Sequence, residues 1–296
     1  MPDSEKKLFN SDITHEDEQS SKDALLDFID KRFEDTEEMG IPKETEEELI
    51  SKFPNRLEEL SVLKDFSSFV YDQLSRDIEG EVHPEEKGDL KKLVDIVEYQ
   101  ALLIHFIKQI KDPDYLKKLW QYFEKVITHI SYYEQNEESE EKVRRYLPIL
   151  KTGILGQVAL ERLFENTNIP THTSKPTEDA YKRIDFWIQK DEKPVALQIK
   201  TSRRYRNLEI IKDRSEMPAL SVSMQGRGKS ERIFFNKLFE DANRFRVRVK
   251  QYAQELGHPI DAYLVLIPSE EVDAVTGEPS ESLKKQFQAK IAEMLP

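Results

Sequence analysis

The chain has no cysteine, which excludes disulfides, thiolate zinc sites, iron–sulfur clusters and cysteine nucleophiles. It has no run of 18 apolar residues, so no membrane-spanning helix and no membrane partner are expected. The opening stretch MPDSEKKLFNSDITHEDEQS is acidic and lacks the apolar segment of a secretory signal, so a cytoplasmic location is expected. Six histidines are present, but none falls in an H-x-x-x-H or H-E-x-x-H arrangement, and no GxSxG occurs. A zinc-protease helix and a serine-hydrolase elbow are therefore not predicted. Gly228-Lys229-Ser230 lacks the upstream glycine of a phosphate-binding loop, which removes a nucleotide-hydrolase reading.

What is present is charge. The 296 residues suit one large or two ordinary domains with a packed core. Charged residues make up 35% and apolar residues 38%, a balance that fits a soluble, helix-rich protein. The net charge of −13, taken whole, argues against a nucleic-acid partner. Its distribution reverses that argument. Residues 1–150 hold 21 basic and 37 acidic side chains, a net of −16, whereas residues 151–296 hold 24 and 21, a net of +3. The stretch 201–250 alone has 13 basic and 6 acidic residues, a net of +7. Two parts with different partners are expected.

Residues 1–22 are polar and acidic and predict a disordered tail. From 23 to 149 apolar residues recur at helical spacing, most clearly over Leu90–Ile110 and Tyr115–Ile130. Asp112-Pro113-Asp114 between them reads as a turn or N-cap. Residues 134–142, EQNEESEEK, have no apolar member and predict a linker. After residue 150 the pattern changes. A helix is predicted over Leu155–Phe164, then a hairpin from 184–188 (IDFWI) and 195–199 (VALQI), with a further strand at 219–224 (ALSVSM). A long helix over 231–256 stops at Gly257-His258-Pro259. The run at 262–267 (AYLVLI) predicts a buried central strand, and an amphipathic helix closes the chain over 281–295. The expected fold class is α+β: an acidic all-helical bundle over 23–149, then an α/β domain with a mixed central sheet over 150–296.

The segment that carries chemistry lies on the hairpin. Asp185 is in or beside its first strand, and Gln198 and Lys200 are two apart on its second. Strand residues two apart point to one face, so Gln198 and Lys200 project together, and pairing can bring Asp185 beside them. Asp185 is a hard oxygen ligand suited to Mg²⁺, and the Gln198 side chain and the Ile199 carbonyl can add oxygens. Lys200 can stabilise charge developing on a phosphoryl group.

Asp185, a 12-residue gap, then Gln198-x-Lys200 resembles the PD-(D/E)XK nuclease superfamily in its variant with Gln in place of the acidic residue. The preceding Gly153-Ile-Leu-Gly156-Gln157 is similar to the GxxGE helix of these enzymes. The basic loop, long helix and apolar strand that follow match the superfamily's order, so the resemblance covers about residues 150–270. It departs in two places: Ile184 stands where the motif has proline, and Gln157 where it has glutamate. Glu161, one helical turn beyond Gln157, can substitute. The resemblance implies a restriction-endonuclease-like fold and a metal-dependent endonuclease. Asp185, Gln198, Lys200 and Glu161 are its expected catalytic residues, and Asp185, Glu161, Gln198 and Ile199 its metal ligands. Gln157 is a possible further contributor from the helix. The expected cofactor is Mg²⁺, with Mn²⁺ as a substitute, and the expected partner is nucleic acid, DNA rather than RNA.

Phosphate contacts are expected from Arg203, Arg204 and Arg206 directly after the motif, from Arg227 and Lys229 in a glycine-containing loop, and from Arg244 and Arg248 on one helix face. His172 lies in the loop before Asp185 and can approach the site, while Trp187 is read as core packing. Two other readings stand beside this one. The first is an inactive nucleic-acid-binding module on the same fold. The second is an interaction protein whose helical domain forms a homodimer or takes a protein partner.

Overall fold

A computed structural model of the chain describes residues 90–133, 137–189, 193–212 and 228–294, together with Val62, Leu63, Phe66 and Val70. The expectations for the tail and for helices before residue 90 fall outside these residues, apart from those four buried helical positions, and so does the strand expected at 219–224.

Helix α1 (Leu90–Gln109) buries Leu103, Ile104 and Ile107, and α2 (Pro113–Tyr133) buries Tyr115, Leu116, Leu119 and Phe123. Asp112 caps α2: its Oδ1 accepts from the backbone N–H groups of Asp114 at 2.9 Å and Tyr115 at 3.2 Å. Pro113 occupies the first helical position, where its missing N–H costs nothing. Phe66 stacks on Phe123 with centroids 5.6 Å apart.

Helix α3 (Glu137–Glu165) corrects the linker reading. Residues 137–142 have no apolar side chain, yet they form its first turns. Glu141 pairs with Arg145 one turn on. The helix runs without a break through residue 150, where the charge pattern changes.

Among the described residues the sheet has five strands in the order β1-β2-β3-β5-β4: β1 (Thr171–Thr173), β2 (Phe186–Ile188), β3 (Val195–Ser202), β4 (Glu209–Ile211) and β5 (Asp261–Pro268). Of these five strands β3 and β5 pair in parallel, in register from Val195↔Asp261 to Ser202↔Pro268, and the other neighbours are antiparallel. The sheet is therefore mixed, as expected. A short helix, α4 (Pro176–Lys182), intervenes between β1 and β2, α5 (Lys229–Leu256) connects β4 to β5, and α6 (Glu281–Met294) ends the described chain. Sequence reading overlooked α4, although Pro176 at its start followed by Glu178 and Asp179 is a helix-entry signal.

Both faces of the sheet are covered, which explains the continuous apolar run of β5. Leu264 and Leu266 pack with Phe235, Leu238 and Ala242 of α5, and Ala196 and Trp187 pack with its Phe245 and Val249. On the other face Phe186, Leu197, Val265 and Ile267 join a core that contains Leu155, Val158 and Phe164 of α3. Gly156 sets how closely α3 approaches that face: a Cβ there would lie 1.8 Å from Thr201 Oγ1 and 2.7 Å from Thr201 Cβ. Gly153, on the same helix, has no atom within 4 Å of such a Cβ.

Gly156→Ala should destabilise the protein by about 1–3 kcal/mol through overpacking. Gly153→Ala should be neutral or stabilise by up to about 1 kcal/mol, since alanine favours the helix and nothing obstructs it. Urea unfolding of both variants measures the contrast.

Candidate functional site

Asp185 precedes β2 and continues its pairing with β3 by two bonds. Its backbone N–H donates to Leu197 O at 2.9 Å, and its carboxylate Oδ2 accepts from Ile199 N–H at 2.6 Å. The register Phe186↔Leu197 sets Asp185 opposite Gln198. Gln198 and Lys200 alternate with Ala196, which faces α5, so Asp185, Gln198 and Lys200 share the α5 face. Gln198 is only 3% exposed, and its Oε1 has no hydrogen-bond partner. A buried carbonyl oxygen without a donor is costly unless something outside the chain completes it.

A fourth residue joins them. The carboxyl of Asp179, on α4, hydrogen-bonds to that of Asp185. Arg183, the C-cap of α4, takes a left-handed conformation (φ 59°, ψ 35°) and turns the chain back into β2. Its N–H donates to Asp179 O at 2.8 Å, so the turn fixes the last part of α4 against the strand it feeds. Glu178 anchors the helix from the other side. Its carboxylate accepts from Trp187 Nε1 at 3.1 Å and from Tyr252 OH at 3.0 Å, which ties α4 to both β2 and α5. Asp179 had no sequence signal of its own; only the overlooked helix start could have drawn attention to it.

Burial pushes the Asp185 carboxyl up to about 6. The Ile199 N–H and the charges of Lys200 and Arg183 pull the other way without restoring the ordinary value. Asp179 is held well above the usual carboxylate range, first by burial and then by the Asp185 charge beside it. Two carboxyls this close cannot both ionise cheaply. The arrangement favours one proton, or another cation, between them.

Glu161 and Gln157 do not join this group. Both are buried on α3, which packs on the opposite face of the sheet. Glu161 accepts from Lys108 Nζ at 2.8 Å and from Thr173 Oγ1 at 3.3 Å. Burial works against the Lys108 charge, but Glu161 and Glu165 outweigh it and raise its pKa. His172 stacks beside Trp187 with centroids 6.4 Å apart. Trp187 is 5% exposed and packs in the core, as read from sequence.

The partnerless Gln198 Oε1, on the same face and opposite Asp185 in the strand register, is an oxygen donor of the kind that fits a hard divalent cation. Among the described residues no three His, Asp or Glu side chains converge, so any such site has two carboxylates at most.

Beyond Lys200, β3 runs into exposed Arg203, Arg204 and Arg206, and the Arg204 guanidinium lies 4.5 Å over the Phe234 ring. Lys229 and Arg244 are exposed on α5, while Arg248 is half-buried and donates to Tyr181 O at 3.4 Å. Arg227 lies outside the described residues. No described helix is long and apolar enough to cross a membrane. No protein-family model, no characterised protein and no solved structure matches the chain.

A carboxyl raised to about 6 favours the protonated fold, so its stabilising effect is complete below the unfolded pKa and is lost as pH rises through 6. Asp185→Asn keeps an acceptor for Ile199 N–H and removes the ionisation. It should raise stability by about 1–2 kcal/mol at pH 7.5, with the gain vanishing towards pH 4. Denaturation of both proteins across that range checks the sign.

Proposed function

We propose that the protein is a cytoplasmic, divalent-metal-dependent endonuclease of the PD-(D/E)XK type, hydrolysing nucleic-acid phosphodiesters, with DNA as the favoured substrate. The observation that carries this reading is the placement of Asp185, Gln198 and Lys200 on one face of adjacent strands, with the Gln198 oxygen buried and partnerless. The order of described elements around that site, helix α3, strands β1 to β4 with α4 inserted after β1, helix α5 and strand β5, supports the same assignment.

Asp185 and Gln198 would hold Mg²⁺ or Mn²⁺, and the Ile199 carbonyl beside them is a further oxygen. The cation supplies Lewis-acid stabilisation of charge on the phosphoryl oxygens. The rest falls to the chain. The Ile199 N–H fixes one oxygen of Asp185 and so orients the other. Lys200 brings a positive charge to the same face, where it stabilises the additional negative charge of the pentavalent transition state. Arg203, Arg206 and Lys229 are exposed cations that would track the phosphate backbone without reading bases.

The described part of the helical half, α1 and α2, is tied to α3 by Lys108 and a shared core. It would regulate access or recruit a partner from there. The reading as an inactive binding module draws on the position of Glu161, whose carboxylate is committed to Lys108.

Purified protein should nick supercoiled plasmid in the presence of Mg²⁺ or Mn²⁺. Asp185→Ala and Lys200→Ala should each reduce the rate by about 100-fold or more. Duplex binding by wild type with no cutting under any divalent metal would replace the nuclease with the binding module. Absence of binding as well would favour an interaction protein acting through its helices. For the arginines, Arg203→Ala with Arg206→Ala should weaken duplex binding and lower the slope of log affinity against log salt by about 1.8, read by fluorescence anisotropy.

A further inference from the structure

We infer that Asp179 is the second acidic ligand of the divalent-cation site, in the role that sequence alone gives to Glu161. The inference rests on the cation-binding part of the proposed function and names its ligand set. Three observations converge on it. First, the left-handed turn at Arg183 folds the end of α4 back on β2, and the Asp179 and Asp185 carboxyls hydrogen-bond to each other. Second, Gln198 lies directly across the hairpin from Asp185 on the same face, 3% exposed, with its amide oxygen unmatched. Two carboxylates and an amide oxygen form a hard-donor set of the kind Mg²⁺ and Mn²⁺ accept. Third, Glu161 is on the other side of the sheet and already neutralised by Lys108 at 2.8 Å. Reaching Asp185 would require it to leave that ion pair and cross the sheet.

The position of Asp179 is enforced by its neighbours. Glu178 takes hydrogen bonds from Lys175 N, Trp187 Nε1 and Tyr252 OH, so α4 is held by its own N-terminus, by β2 and by α5. Arg183 pairs with Asp241 of α5 at 3.7 Å and closes the same seam. With only two carboxylates, binding should be modest, and Lys200 nearby weakens it further.

The test is calorimetric titration of the full-length protein with MnCl₂, with no nucleic acid present. Wild type should bind one Mn²⁺. Asp179→Asn and Asp185→Asn should each weaken binding by about 10-fold or more, and Glu161→Gln should leave it within about twofold. Melting without metal verifies that each variant is folded, and Asp179→Ala replaces Asp179→Asn if that variant is not. Wild-type affinity in the folded Asp179 variant, with binding lost in Asp185→Asn, overturns the assignment of Asp179 while leaving the cation site standing. Loss of binding in Glu161→Gln with retention in Asp179→Asn restores Glu161 in its place. No Mn²⁺ binding by wild type removes the cation site itself, and the metal-dependent reading with it.

Discussion

The hydrogen bond from Ile199 N–H to the Asp185 carboxylate is the contact around which the site is arranged. It stands where the next backbone acceptor of the β2–β3 ladder would be, so a side chain extends the sheet by one rung. The consequence is positional. A carboxylate that would otherwise rotate into water is fixed at the end of a strand, beside Gln198 and Lys200 and under α5. Its second consequence is electrostatic. Holding the group there removes it from water and makes its charge dearer, while the hydrogen bond with the Asp179 carboxyl favours that charge. Lys200 and Arg183 offset part of that cost.

The two faces of the sheet handle their buried carboxyl groups in opposite ways. On the α3 face, Glu161 is met by Lys108 and Thr173, and α3 itself is drawn close through the Gly156–Thr201 contact. The pair closes on itself and resembles a structural ion pair, which is strongly destabilising only if one partner is removed. On the α5 face, two carboxyls oppose one another and an amide oxygen has no donor.

Much of this order was legible in the chain. The hairpin, the parallel crossover strand, the long helix and the capped start of α2 all follow from apolar spacing and from Pro and Asp placement, which act locally. Strand alternation also foretold that Gln198 and Lys200 share a face. The polar stretch at 137–142 misled because a helical segment without apolar residues leaves no apolar periodicity to read. Glu161 misled for a different reason. Helical spacing places it near Gln157 on α3, but spacing does not say on which side of a sheet a helix packs.

The alternation of helix and strand, the concentration of negative charge before residue 150, and the cofacial pair Gln198 and Lys200 are encoded locally, because each depends only on neighbours along the chain. Tertiary structure alone decided which acid stands beside Asp185. That choice depends on a left-handed turn at Arg183, on α4 held by Trp187 and Tyr252, and on α3 lying against the far face. These are contacts between residues distant in sequence, and no local pattern encodes the side of the sheet on which two carboxyls meet.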